Sequence, residues 1–144
     1  MTTKQSEYLS FWTALIEAGV ANAEVWQRFE PKPFEWIRIP SGKASAVDYY
    51  IVVNQKFIRM ELFINTKSRE TNYQIYESLV TQKPEIEAAF GQALEWEQFD
   101  KTSKVMFQSG HGCYQERSDW PQLIPPAVQH FEPFWNAIQG PLEI

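Results

Sequence analysis

The first place to look for chemistry in this chain is its one cysteine. It lies in the stretch SGHGCYQ, residues 109–115, beside one of only two histidines. A thiolate nucleophile needs a base within hydrogen-bond reach and a lowered pKa. His111 and Cys113 are two positions apart, so in an extended segment they would project to the same side. A zinc site needs three or four ligands, and carboxylates would have to complete the set. The stretch matches no ligand spacing. The simpler expectation is structural: Gly110 and Gly112 let the chain turn tightly after a strand. His130, the other histidine, sits by an aromatic helical stripe without a local catalytic partner, so no base or ligand role is expected of it.

The segment FIRMELFINTK is the second place where polar residues could do chemistry. Glu61 and Lys67 invite a metal-nuclease reading, but that chemistry needs carboxylates clustered on adjacent strands with a lysine close behind. Here the lysine falls beyond the strand. Alternation separates Ile58, Met60, Leu62 and Ile64 from Phe57, Arg59, Glu61 and Phe63, so one face is core and the other mixed. If Ile37 and Ile39 of EWIRIP point to the core, Trp36 and Arg38 join the mixed face. A fourth strand adds either Glu95 and Glu97, or Trp96. Arginine beside aromatics on a sheet is the chemistry of base-stacking platforms. The interspersed carboxylates favour a solvated face with cross-strand ion pairs instead. SGKASA lacks the spacing of a phosphate loop.

The elements that must position these residues follow from periodicity. SEYLSFWTALIEAG places Tyr8, Trp12, Leu15, Ile16 and Gly19 at helical spacing, with Ser6 as expected cap and Gly19 as expected stop. A connector with one helical turn near Val25–Phe29 leads past Pro31 and Pro33. EWIRIP, AVDYYIVV and FIRMELFI read as three strands, the last two joined by the short turn NQK. RETNYQIYESLVTQ and KPEIEAAFG read as two helices, with Pro84 in the first turn and Gly91 at the end of the second. ALEWEQF and SKVMFQS read as two more strands. In the final stretch Ser118 or Asp119 would cap a short helix and Pro126 would start another. Val128, Phe131, Trp135 and Ile138 form the stripe, and Pro133 bends it. Strands grouped with short loops favour antiparallel pairing. The expected fold is α+β: a two-layer arrangement with a roughly five-stranded, mostly antiparallel sheet and helices on one face.

Composition bounds the function. The 144 residues fit one domain, residues 1–144, and hydrophobic residues at 44% against charged ones at 22% describe a globular chain. Six Trp, six Tyr and ten Phe are more than one small core readily uses. The net charge of −5 argues against a general nucleic-acid coat or a binder of anionic membranes. One cysteine excludes an internal disulfide framework. No apolar stretch has the length of a signal core or a membrane span, so the expected location is the cytoplasm.

The motifs YLSFWTALIEA, WIRI, RMELFI and above all KPEIEAAFGQALEWE resemble the bacterial domain of unknown function 4268, from about Tyr8 to Trp96 and more weakly to Trp135. They are packing motifs. Members of that family often lie C-terminal to nuclease-like modules in proteins suspected of restriction or phage defence. The resemblance therefore implies an accessory role linked to nucleic acid or to a partner, and it supplies no catalytic residues.

The resulting expectation is a non-enzymatic binding module. It would meet its partner through Trp36, Arg38, Arg59, Glu61 and Phe63. The partner would be another protein or a second copy of the chain, with nucleic acid as the further class and no membrane. No catalytic residue, metal ligand or cofactor is assigned. The alternative is a small hydrolase or nuclease-like enzyme using Glu61, Glu97 and His111, with Cys113 in the same pocket.

Overall fold

The computed structural model describes residues 1–142. In chain order the elements are α1 (Thr3–Val20), a 3-10 turn (Glu24–Arg28), β1 (Trp36–Pro40), β2 (Val47–Val53), β3 (Phe57–Ile64), α2 (Arg69–Val80), α3 (Lys83–Phe90), β4 (Glu95–Gln98), β5 (Ser103–His111), a second 3-10 turn (Arg117–Asp119) and α4 (Trp120–Gln139). The strands form one antiparallel sheet of order β1-β2-β3-β5-β4. The α+β expectation holds. No helix among the described residues is long and apolar enough to cross a membrane.

Local chemistry sets the pairing. Asn54 Oδ1 accepts from the N–H groups of Lys56 and Phe57 at 2.8 and 2.9 Å, which closes the β2–β3 hairpin through an Asx turn. Register then follows from alternation. Ile37, Ile39, Tyr49, Ile51, Ile58, Met60, Leu62 and Ile64 are all buried on the helix side. Phe11, Trp12 and Leu15 of α1 and Leu123, Ala127, Phe131, Phe134 and Ile138 of α4 meet them in one core. The Trp12 indole donates to Phe34 O at 2.8 Å and fixes the approach to β1. Tyr49 donates to Gln139 Oε1 at 2.9 Å, and Gln139 Nε2 donates to Ser41 O at 2.6 Å, so the end of α4 is tied to the β1–β2 loop.

Three local expectations are corrected. The cap of α1 is Thr2, not Ser6: Thr2 accepts from Gln5 N while Gln5 Oε1 accepts from Thr2 N, a reciprocal capping box. Gly19 does not stop the helix. It lies inside the helix, and the buried Trp26 ring occupies the space that a Cβ there would need. The C-terminal stretch forms one helix rather than two, with Pro125, Pro126 and Pro133 inside it. Their missing N–H groups weaken the ladder, but buried residues on both sides of each proline hold the helix to the core. Asp119 precedes α4 without capping it. Its carboxylate instead accepts from Cys113 N at 2.9 Å.

Candidate functional site

Among the described residues no helix packs on the sheet face away from α1 and α4, and register orders its side chains in rows. One row runs Pro40, Asp48, Phe63, Lys104, Glu97. The next runs Arg38, Tyr50, Glu61, Met106, Glu95. The third runs Trp36, Val52, Arg59, Gln108. Two diagonals cross these rows side by side. The first is aromatic. Phe34 stacks on Trp36 at 5.2 Å between centroids, Trp36 meets Tyr50 edge-on at 5.6 Å, and Tyr50 meets Phe63 edge-on at 5.9 Å. The second is ionic. Arg59 Nε lies 2.6 Å from Glu61 Oε2, and Lys104 Nζ lies 3.2 Å from Glu61 Oε1.

Between the diagonals lies a groove of about 420 Å³. Trp36, Tyr50 and Phe63 make one wall, Val52 its floor, and Arg59, Glu61 and Lys104 the other wall. Glu35 also borders it. The Glu61 side chain is only 4% exposed. A carboxylate that is buried must be paired, and its two oxygens each take one cation. Phe57 lies under the Arg59 guanidinium at 5.1 Å and Phe63 under the Lys104 ammonium at 5.1 Å, which further restrains both cations. Burial raises the Tyr50 pKa, Asp48 and Glu61 add to the rise and Arg38 opposes it, so the phenol is neutral at ordinary pH.

The chain belongs to a known family. A sequence model of the Domain of unknown function (DUF4268) family matches residues 7–141. No curated protein and no solved structure matches the chain. The match includes all five strands and α4, and so the whole of the groove of this DUF4268 domain.

Four of the five residues singled out by sequence, Trp36, Arg59, Glu61 and Phe63, converge on the groove. Arg38 does not line it. It pairs with Asp48 at 3.0 Å and borders a neighbouring concavity of about 290 Å³ with Arg28, Lys32 and Phe34. Trp36 lines both and forms the partition. The open choice on β4 resolves to Glu95 and Glu97 outward. Trp96 turns to the helix side, where its indole donates to Glu87 Oε2 at 3.2 Å and its ring meets Tyr76. Sequence reasoning missed Tyr50, Val52 and Lys104. The same period of two was present in AVDYYIVV and SKVMFQS and places all three on the outer face.

The residues of the enzymatic alternative are not brought together. His111 pairs in register with Phe57, four residues along β3 from Glu61, or roughly 13 Å at strand rise. Glu97 is exposed on the edge strand β4, two strands from β3. His111 Nδ1 lies 3.1 Å from Gln108 Nε2, and Cys113 Sγ lies 3.9 Å from Gln115 Oε1. Among the described residues no group of three or more His, Cys, Asp or Glu side chains could hold a metal ion. The stretch SGHGCYQ is the end of β5 and its turn. A Cβ at Gly110 would run into the Gln122 carbonyl oxygen of α4, so the close approach of β5 to α4 requires glycine there. Gly112 has φ +147 and packs against Asp119.

Proposed function

We propose that this DUF4268 domain is a non-enzymatic binding module that engages its partner through the groove and the surrounding outer sheet face. One observation carries the reading: a continuous chain of four aromatic rings, half-buried or exposed, stands on the sheet face that no helix among the described residues covers. Contiguous apolar surface of this kind marks contact sites, and Trp, Tyr and Arg are the side chains enriched among energetic anchors. The polar groups are tied to one another in ion pairs rather than aimed at a common reacting atom, which is the arrangement of a contact surface rather than of a catalytic centre. A protein partner, a second copy and nucleic acid are the classes such a face serves, in keeping with the accessory role that the family resemblance implies. The expected location is the cytoplasm.

The test is a variant with Trp36→Ser and Phe63→Ser, compared with wild type by sedimentation at several concentrations and by oligonucleotide titration at two salt concentrations. Circular dichroism checks its fold. The variant is expected to lose self-association or ligand binding while staying folded. A monomeric wild type that binds nothing in these assays, with an indistinguishable variant, would make the face ordinary solvated sheet.

A further inference from the structure

The two walls of the groove ask for two different halves of one ligand. The aromatic wall offers Trp36 and Tyr50, whose rings suit a planar group, while Phe63 lies under the Lys104 ammonium. The opposite wall holds two cations against one carboxylate, a local formal charge of +1, with the second carboxylate of the lining, Glu35, on β1's side of the groove. Glu61 engages Arg59 only through Nε, and among the described residues neither Nη group of Arg59 has a hydrogen-bond partner. That leaves the two-pronged edge suited to a phosphate or carboxylate. Lys104 stands on the neighbouring strand, and among the described residues its ammonium has no ion-pair partner besides Glu61. Both cations are about three-quarters buried, at 26% and 25% side-chain exposure, and so are already held in place before a ligand arrives.

Resting on the groove reading above, we infer that the groove binds one nucleotide unit of a single-stranded nucleic acid, its base against Trp36 and Tyr50 and its phosphate on Arg59 and Lys104. The volume of about 420 Å³ falls in the range of small-ligand sites. Charge sets the stoichiometry. The chain carries −5 overall and Glu95 and Glu97 project from the same face; of the cations beyond Trp36, Lys32 and Arg38 are paired with Glu30 and Asp48 and Arg28 sits over the Trp135 ring, so one phosphate position is the stoichiometry the face supports. Binding is therefore led by stacking, which every base can supply and which a base still in a duplex cannot. This separates the site from a general nucleic-acid coat in a measurable way. One neutralised phosphate gives a log–log salt slope of about −0.7, far shallower than that of a basic groove.

The experiment is fluorescence anisotropy of the full chain with a labelled short single-stranded oligonucleotide. A hairpin duplex, a mononucleotide and inorganic phosphate serve as unlabelled competitors. The expected result is binding with a salt slope near −0.7 per molecule, competed by mononucleotide and at least tenfold less well by duplex or by phosphate alone. Trp36→Leu should weaken binding by roughly tenfold, the loss of one stacking partner. Lys104→Gln keeps the Arg59–Glu61 pair and should weaken binding while flattening the salt slope. If Trp36→Leu fails to fold, Tyr50→Leu and Lys104→Gln carry the same comparison. Absence of binding, equal competition by phosphate alone or by duplex, or unchanged affinity in the folded variants overturns the inference. Sedimentation of the same proteins then separates the two readings. Self-association that Trp36→Leu abolishes leaves the binding face standing without the nucleotide, and no change in either assay removes both.

Discussion

Arg59 Nε lies 2.6 Å from Glu61 Oε2, two residues along one strand and on the face that the helices leave open. Together with Lys104 it makes Glu61 a buried charge on the solvent side of a sheet. Removing the carboxylate leaves two cations side by side with no counter-charge. Glu61→Ala is expected to cost about 1.5–3 kcal/mol, the scale for hydrogen bonds to charged groups. Lys32→Ala breaks the Lys32–Glu30 pair, in which both side chains are exposed, and is expected to cost less than about 1 kcal/mol. Urea denaturation of the two variants should show this asymmetry. Equal losses would mean that the Glu61 cluster is as solvated as the Lys32 pair. It also follows that charge reversal at Arg59 is a folding mutation rather than a clean probe of binding.

Glycines in this chain should respond to alanine in opposite directions. Replacing a helix-interior glycine normally stabilises by about 1 kcal/mol. At Gly19 the new Cβ would run into the buried Trp26 ring, so Gly19→Ala is expected to destabilise by about 1–3 kcal/mol. Gly140 has φ −68, and among the described residues no atom lies within 4 Å of an added Cβ. Gly140→Ala is expected to stabilise by about 0.4–1 kcal/mol through the unfolded chain. Thermal melts of the two variants should move in opposite directions.

What could be read from sequence divides along a physical line. Ile58, Met60, Leu62 and Ile64 declare their face by period two, and the same rule carries Trp36, Arg59, Glu61 and Phe63 to the outer one. The burial of Glu61 could not be read that way. It depends on Lys104, which arrives from β5 only after the sheet has formed. Likewise α4 runs through Pro125, Pro126 and Pro133 because its buried residues pack on α1 and the sheet, a tertiary gain that outweighs local propensity. The Gly19 contact is of the same kind, since helix-stop rules register the glycine and not the ring beside it. The Thr2–Gln5 capping box, by contrast, was visible as a short-range pattern. So was the outward position of Tyr50, next to its inward neighbour Tyr49.

Stability should fall at both ends of the pH scale for identifiable reasons. Leu94 N donates to Glu87 Oε2 at 2.7 Å, and this bond is the main cause holding the Glu87 carboxyl below its ordinary 4.5. A depressed folded pKa gives stability that is present above the unfolded value and lost as pH falls through the folded one. The gap in urea midpoint between wild type and Glu87→Ala should therefore narrow as pH falls below the ordinary 4.5. At the alkaline end, burial raises the phenol pKa of Tyr49, Tyr50, Tyr76 and Tyr114 above 10.0. Their contribution is complete below pH 10 and is lost as pH rises beyond it, because only the unfolded chain ionises freely there. A stability that stays flat to well above pH 10 would contradict the burial of these phenols.

The lone cysteine should prove less important than the aspartate that holds its backbone. Cys113 is half-buried in the turn after β5, and among the described residues its sulfur has one hydrogen-bond contact, to Gln115 Oε1 at 3.9 Å, beyond the reach of a strong bond. Its backbone N–H, in contrast, donates to Asp119 Oδ2 at 2.9 Å, across a turn that Gly112 makes possible at φ +147. The same carboxylate packs 3.3 Å from where a Cβ on Gly112 would stand, so turn and aspartate fit each other closely. Cys113→Ser preserves the backbone bond and is expected to leave stability within about 0.5 kcal/mol of wild type. Asp119→Ala removes a charged acceptor from that N–H and is expected to cost about 1.5–3 kcal/mol and to speed amide exchange at Cys113. Hydrogen exchange and urea denaturation of the two variants read both effects. A Cys113→Ser variant that loses binding or stability while Asp119→Ala does not would give the sulfur a role that its surroundings do not provide.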